Sequence, residues 1–345
     1  MGEVDRGRTG IASRVTMDDA SFAALTEPYR PELVVHCYRM LGSAHDAEDL
    51  VQETYVRAWR GIDRFEGRSS VRRWLYKIAT MACLTALETR GRRPLPSGLG
   101  GPASDYRTAD LGRTGEVEWL EPLPDSMMDA GAAGTADPAA VSAARAGVRL
   151  AFIAALQVLS ARQRAVLTLR DVLAFRTAEV AEMLDVSAAS VDSTLRRARA
   201  RLAAAGPVQD EIAEPDDEGV RRLLDSYVDA FTRADAAALV SLLRADVALE
   251  MPPIPAWFAG REAVVAFLAA RVLRPGHWRF VPTRANTQPA FVVYRRVDDG
   301  ENAEGGEYVA YGVQALTLRG GLVARISSFN EPRLVSDLGG PTVLC

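Results

Sequence analysis

The densest set of side chains able to do chemistry is basic and aromatic. Arg64, Arg68, Arg72, Arg73 and Lys77 are interleaved with Phe65, Trp74 and Tyr76, and Arg90, Arg92 and Arg93 follow. Guanidinium and ammonium groups attract a phosphate backbone. Aromatic rings beside them stack on unpaired bases. Phe65 sits in a loop bounded by Gly61 and Gly67, a place where a base extruded from a duplex can be captured. Trp74, Leu75 and Ile78 have the spacing of core residues instead. A second basic set lies at Arg196 and Arg197, with Ser193 one turn and Ser190 two turns earlier. A third set is mixed: Asp229, Asp235, His277 and Glu331 are acids and a base able to move protons, with Tyr227, Trp257, Phe258 and Trp278 as apolar walls. Proton transfer needs a buried carboxylate near His277, and spacing alone brings no such pair together.

Helices must position the first two sets. In Asp46–Arg60, Ala47, Leu50, Val51, Thr54, Tyr55 and Ala58 share one face at helical spacing. Asp49, Gln52, Glu53 and Val56 share another, acidic with one apolar spot. Taken alone, that face reads as ordinary solvated surface. Ser160 is placed to cap a helix. Thr177–Leu184 reads as a short second helix, Asp185-Val186-Ser187 as a tight turn, and Ser187 as the cap of a third. In the third helix Val191, Leu195, Ala198 and Leu202 form an apolar stripe, with Ala189, Ser193, Arg196 and Arg197 facing away. This is the arithmetic of a helix-turn-helix whose last helix enters a major groove. A helical hairpin with an arginine-rich outer face has the same pattern.

The chain of 345 residues is long for one helical domain, and with 48% hydrophobic residues it can form two or three cores. Lys and Arg number 41 against 45 Asp and Glu, a formal net charge of -4. That balance excludes a protein basic over its whole surface and leaves room for local patches. Cys37, Cys83 and Cys345 form no metal-binding or redox spacing, and are expected as two buried thiols and one terminal thiol, with no metal and no cofactor. The polar N-terminus holds no signal-peptide core, and no apolar run approaches the roughly 20 residues that span a bilayer. No membrane partner and a cytoplasmic location are expected.

Residues 1–17 read as a disordered tail, 18–93 as a helical domain, and the Gly- and Pro-rich 94–138 as a linker. Within the linker, Trp119-Leu120-Glu121-Pro122-Leu123-Pro124-Asp125 looks built to dock. A second helical domain covers 139–205, a short acidic break 206–218, an α+β domain 219–336, and a tail 337–345. In the last domain Val220–Arg233 and Asp235–Leu243 read as helices, followed by Asp246-Val247-Ala248-Leu249-Glu250-Met251-Pro252-Pro253 and a further helix from Arg261 to about Leu273. Phe291–Tyr294, Tyr308–Val313 and Gln314–Leu318 read as strands, with turns at 298–300 and Gly320-Gly321.

These residues carry a resemblance. DAEDLVQETYVRAWR followed by RFEGRSSVRRWLYKIAT is similar to region two of the sigma-70 family, in its extracytoplasmic-function group. The resemblance implies that Asp49, Gln52, Glu53 and Val56 dock on the β′ subunit of RNA polymerase. It implies that Arg64, Phe65, Arg68, Arg72, Arg73 and Lys77 melt and read the minus-ten element. Where the family usually has Asn after IAT and an acid a few positions on, this chain has Met81 and Thr85, which points to a changed promoter preference. The helix-turn-helix resembles region four, implying minus-thirty-five contacts from Ser190, Ser193, Arg196 and Arg197 and a linker that threads toward the polymerase active-site channel. The last domain resembles the SnoaL-like, nuclear-transport-factor-two-like cone fold, with a pocket lined by Tyr227, Asp229, Trp257, Phe258 and His277.

The expected fold is therefore two all-α domains followed by an α+β cone. The expected partners are the polymerase core, with its β and β′ subunits, and promoter DNA. The cone is expected to contact the sigma domains, through Phe329-Asn330-Glu331-Pro332-Arg333-Leu334, and to tune their activity in place of a separate anti-sigma protein. No catalysis is expected. Two rival readings fit parts of the sequence: a stand-alone helix-turn-helix regulator, and a cyclase or isomerase with a DNA-binding appendage.

Overall fold

A computed structural model describes residues 18–65, 67, 69–128, 147–204, 218–297 and 307–344. The expected tail 1–17, Arg68, linker residues 129–138, the break 206–217, the turn 298–300 and Cys345 lie outside the described residues.

The first helical body contains α1 (Asp19–Thr26), α2 (Arg30–Leu41), α3 (Ala44–Gly61) and α4 (Val71–Thr89). Side-chain oxygens of Asp18, Ser43 and Ser70 accept the orphan amides that open α1, α3 and α4. The α3 stripe is buried as its spacing requires, from Ala47 to Ala58, with Tyr55 half-buried. Cys37 and Cys83 are both buried free thiols, as expected of them. Gly42 ends α2 at φ 74°, and a Cβ there would press on Leu120 and Gln157 at 3.0 and 3.1 Å.

The second body holds α5 (Leu150–Leu156), α6 (Ala161–Leu167), a wide helical turn Thr168–Val172, α7 (Thr177–Leu184) and α8 (Ala188–Ala204). Ser160 and Gln163 form a reciprocal capping box. Asp185 stops α7 in the left-handed region, and Ser187 Oγ accepts the Ser190 amide at 3.2 Å. Val191, Leu195 and Ala198 are buried and Leu202 half-buried, so the predicted stripe is the core face.

The two helical bodies share one continuous core. Phe175 packs edge-on against Tyr76 at 5.4 Å. Buried Arg164 of α6 donates to the carbonyls of Leu156, Leu159 and Met40, the last in α2. Arg39 of α2 donates to the Gly147 carbonyl at 2.9 Å. Burial lowers both guanidinium pKa values to about 10, so both remain charged at neutral pH and depend on those carbonyls.

The C-terminal domain opens with α9 (Glu218–Thr232) and α10 (Ala236–Leu242), and α11 (Arg261–Arg271) follows β2. Its strands are β1 (Leu243–Met251), β2 (Ile254–Ala259), β3 (Trp278–Ala285), β4 (Gln288–Arg296), β5 (Tyr308–Arg319), β6 (Leu322–Phe329) and β7 (Val343–Leu344). They form one sheet in the order β2-β1-β6-β5-β4-β3, with β7 beside β5. Only β1 and β6 pair in parallel among the described strands. Register shifts in β1, β4–β5 and β5–β6 bend the sheet round the helices. Gly312 lies in the bent part of β5, where a Cβ would fall 2.1 Å from the Phe329 carbonyl. The two strands read within 308–318 are one strand, and the Gly320-Gly321 turn is present with both residues left-handed. Strands β1, β2, β3 and β6 were not individually legible.

The described part of the linker is packed rather than free. Its composition cannot build a core, but its backbone finds partners on the cone: Ser97 N donates to Glu250 at 3.0 Å, Ala103 N to the Trp257 carbonyl at 2.8 Å, and Thr114 N to the Pro253 carbonyl at 3.2 Å. Trp119, Leu120 and Leu123 are buried, so the docking patch docks within its own chain. Three parts of the chain meet at Asn286, in the β3–β4 turn. Its Nδ2 donates to the Val148 carbonyl (2.6 Å) and Tyr38 Oη (2.9 Å), while its Oδ1 accepts the Leu123 amide (2.9 Å). Glu121 accepts from Ser43 Oγ at 2.6 Å and from Arg333 at 2.5 Å. Arg333 follows β6 at the start of α12 (Arg333–Asp337), within the segment expected to reach the helical bodies.

Candidate nucleic-acid and protein interfaces

The outer face of α3 is open. Asp49, Gln52 and Glu53 are exposed, and Val56 and Trp59 leave 48% and 37% of their surface in water. Residues Asp19, Phe22, Gln52, Tyr55, Val56 and Trp59 line a shallow groove of about 290 Å³ there. Two large apolar side chains thus stand in water beside the carboxylates of this face. Trp59 was not singled out from spacing, because it falls just beside the acidic face; its exposure is a tertiary fact. Asp49 and Glu53 also have partners one turn away, the His45 imidazole at 3.6 Å and the Arg57 guanidinium at 2.6 Å.

The basic face of α4 is partly covered. Phe65 packs on half-buried Trp74, with ring centroids 4.7 Å apart. Trp74 is thus a shelf under the loop more than an interior residue. Arg64 closes a short helical turn after α3, its side chain being outside the described residues, as is all of Arg68. Arg72 pairs with Glu32 at 2.9 Å and lies over the rings of Tyr76 and Phe175 at 4.9 and 5.3 Å. Arg73 pairs with Glu182 and lies 3.8 Å from Glu179, both on α7. Lys77, Met81 and Thr85 continue one exposed row along α4. On α8, Arg196 and Arg197 are exposed, Arg197 donating to Thr194 Oγ1 at 3.1 Å. Ser190 and Ser193 are half-buried, Ser193 Oγ donating to the Ser190 carbonyl at 3.0 Å. The acids Glu32, Glu179 and Glu182 escaped sequence reasoning because a surface glutamate on a helix carries no signal of its partner.

The residues expected in the cone pocket do not converge. Asp229 is exposed on α9 and pairs with Arg233 at 2.9 Å; an i,i+4 partner holds it on the outer surface. Asp235 accepts the Ala238 amide as the cap of α10. Glu331 pairs with Arg113 of the linker at 2.5 Å. Trp257 is turned to the linker, its Nε1 donating to the Gly100 carbonyl at 2.9 Å. Phe258 is core, stacked on Phe267 at 4.5 Å. Buried Tyr227 donates to Gln314 Oε1 at 2.8 Å, just behind the cavity. Of the expected residues, His277 and Trp278 line it, beside Phe280, Arg295, Tyr311 and Gln314. Burial raises the Tyr227 pKa well above the phenol range, so it stays a neutral donor. No acid–base pair faces the cavity among the described residues.

Three family descriptions match in chain order: Sigma-70 region 2 over 25–93, Sigma-70 region 4 over 149–202, and a SnoaL-like domain over 224–326. Over 326 residues the chain is 44% identical to the ECF RNA polymerase sigma factor SigG of Mycobacterium tuberculosis, covering 94% of this chain and 85% of that protein. The chain belongs to the extracytoplasmic-function group of sigma-70 family sigma factors. It is 27% identical over 266 residues to the M. tuberculosis sigma factor SigJ, covering 75% of each. The crystal structure of SigJ shares the fold, with TM-score 0.57 and 24% identity, covering 94% of this chain and 100% of that one. The relatives of this sigma factor are DNA-binding initiators of transcription, not enzymes. No helix of the described residues is long and apolar enough to cross a membrane.

Proposed function

We propose that this sigma factor docks on the polymerase core, in the cytoplasm, through Asp49, Gln52, Glu53 and Val56, with Trp59 extending the apolar contact to the β′ subunit. The same reading gives minus-ten contacts to Arg64, Phe65, Arg68, Arg72, Arg73 and Lys77, and minus-thirty-five contacts to Ser190, Ser193, Arg196 and Arg197. The arrangement described is a closed one. The observation that carries this is Arg73 paired with Glu182 on the first helix of the helix-turn-helix, while the α3 face stays open. A promoter-reading arginine held by a carboxylate must exchange that partner for phosphate before DNA binds. The cone and the linker hold the closure through Asn286 and the Glu121–Arg333 pair, in keeping with a domain that tunes sigma activity from within the chain.

The test is gel filtration of the full chain with purified polymerase core, followed by promoter binding. Co-elution is expected, and is expected to be lost when Asp49→Lys and Glu53→Lys are combined. Promoter affinity is expected to rise in Asn286→Ala. Retained co-elution of the double variant would remove the α3 face from the docking surface, and no co-elution of the parent chain would remove polymerase docking altogether.

A further inference from the structure

The cone holds a cavity that the promoter reading leaves without a task. It has a volume of about 270 Å³, near the lower end of the roughly 300–1,000 Å³ usual for small-molecule sites. Its inner walls are apolar: Phe231, Leu249 and Val293 are buried, with Phe280, Trp278 and Tyr311 presenting aromatic surface. Its mouth is cationic. Arg271, Arg274 and Arg295 line it together with His277, and no carboxylate lines it among the described residues.

The three arginines are set apart by their grouping. Elsewhere in this domain exposed Arg233 and Arg333 take Asp229 and Glu121, and half-buried Arg244, Arg284 and Arg325 take Asp246, Asp125 and Glu250, while exposed Arg221 forms no ion pair among the described residues but lies away from this cavity. Arg271, Arg274 and Arg295 form no ion pair among the described residues, although all three are exposed and gathered at one opening. Guanidiniums grouped without counter-charge repel one another, and an oxyanion offered to their planar donors relieves that repulsion with paired hydrogen bonds. Two amides add polarity deeper in. Gln314 spends its Oε1 on Tyr227, leaving its Nε2 without a partner among the described residues. The Asn330 Oδ1 accepts from Ser328 Oγ.

We infer that this cavity binds a small amphipathic organic anion, its oxyanion head at Arg271, Arg274 and Arg295 and its flat apolar body against Phe280, Trp278 and Tyr311. The site is one of binding, not of turnover, since no acid–base pair faces it. It also has a mechanical neighbour. Asn330 lines the cavity, and the next residues, Glu331 and Arg333, are those that grip Arg113 and Glu121 of the linker. An occupant therefore touches the segment that ties the cone to the helical bodies.

Isothermal titration of the full chain tests this with 2-naphthoate, 2-naphthyl phosphate and the neutral 2-naphthylmethanol. At least one of the two anions is expected to bind, and the alcohol at least about tenfold more weakly, the loss of a charge-assisted head contact. Binding of the carboxylate alone assigns a carboxylate head, and of the phosphate alone a phosphate head. The combined variant Arg271→Gln and Arg295→Gln, both exposed positions, is expected to keep the parent melting curve and lose about tenfold in anion affinity. Equal binding of alcohol and anions, no anion binding, or an unchanged anion affinity in that variant would overturn the proposal.

Discussion

The outer faces of α3 and α4 in the first helical body make an instructive pair. Both are helical, and both place charged side chains beside exposed aromatic or apolar groups. The α3 face leaves Asp49, Glu53, Val56 and Trp59 open to any partner. The α4 face is met by its own chain, with Arg72 on Glu32 and under Phe175, and Arg73 on Glu182. With the roles proposed above, the difference predicts an order of events: polymerase engages while the helical bodies are closed, and promoter DNA binds only after they part. It also separates two kinds of contact. The Arg73–Glu182 pair lies at the surface and is worth at most about 1 kcal/mol. The junction at Asn286 is buried, and each group unpaired there costs about 1–3 kcal/mol.

Four measurements can break or sharpen that contrast. The largest effect belongs to the open face. Combining Asp49→Lys with Glu53→Lys is expected to weaken core polymerase binding about a thousandfold, or about 4 kcal/mol, by placing like charge on a docking hot spot. Fluorescence anisotropy reads this, and an effect under about tenfold would place the dock elsewhere. Next is Asn286→Ala, which unpairs the Val148 carbonyl and the Leu123 amide and is expected to cost about 3 kcal/mol in urea unfolding. The same variant should bind promoter DNA more tightly, and a stability loss without that gain would uncouple the junction from the closure.

Acid probes the seam beneath the α4 face. His36 is fully buried between α2 and α4, with its Nε2 2.9 Å from Thr80 Oγ1. Burial first, and then the charges of Arg39 and Arg72, lower its pKa from 6.5 to about 3. Below the ordinary imidazole pKa the unfolded chain takes up a proton that the folded chain refuses. Stability is therefore lost as pH falls through the window from 6.5 toward 3, with a slope of up to about 1.4 kcal/mol per pH unit. Between pH 6.5 and 5 the loss should approach about 2 kcal/mol. Urea titrations of the parent and His36→Gln should differ in slope by one proton, and identical slopes would refute the neutral His36. The smallest effect is Glu182→Gln, expected to raise promoter affinity about threefold at low salt and less at high salt. A gain as large as that of Asn286→Ala would make the surface pair, not the buried junction, the true latch.

Legibility followed the range of the interactions. The stripes of α3 and α8, the caps at Ser160 and Ser187 and the turn at Gly320-Gly321 depend on neighbours a few residues away and were readable. Strand β1 was not, because Leu243–Met251 is buried on both faces at its end and shows no clean alternation. The pocket set failed most. Asp229, Asp235 and Glu331 have the right chemistry, yet nearby Arg233, a helix cap and linker residue Arg113 claim them.

By itself the sequence determined three modules, their order, and two helical faces of opposite charge, because amphipathic periodicity and capping are local and repeat at fixed spacing. Only the tertiary structure decided that the linker is a strap, that Asn286 reaches Tyr38 across 248 positions, that Arg73 faces Glu182 across 109, and that Arg271, Arg274 and Arg295, without ion pairs among the described residues, line one cavity. A side chain's partner is set by how separate surfaces pack. Nothing in the local pattern of Asn286-Thr287, or of a glutamate on an outer helix face, records which surface arrives there.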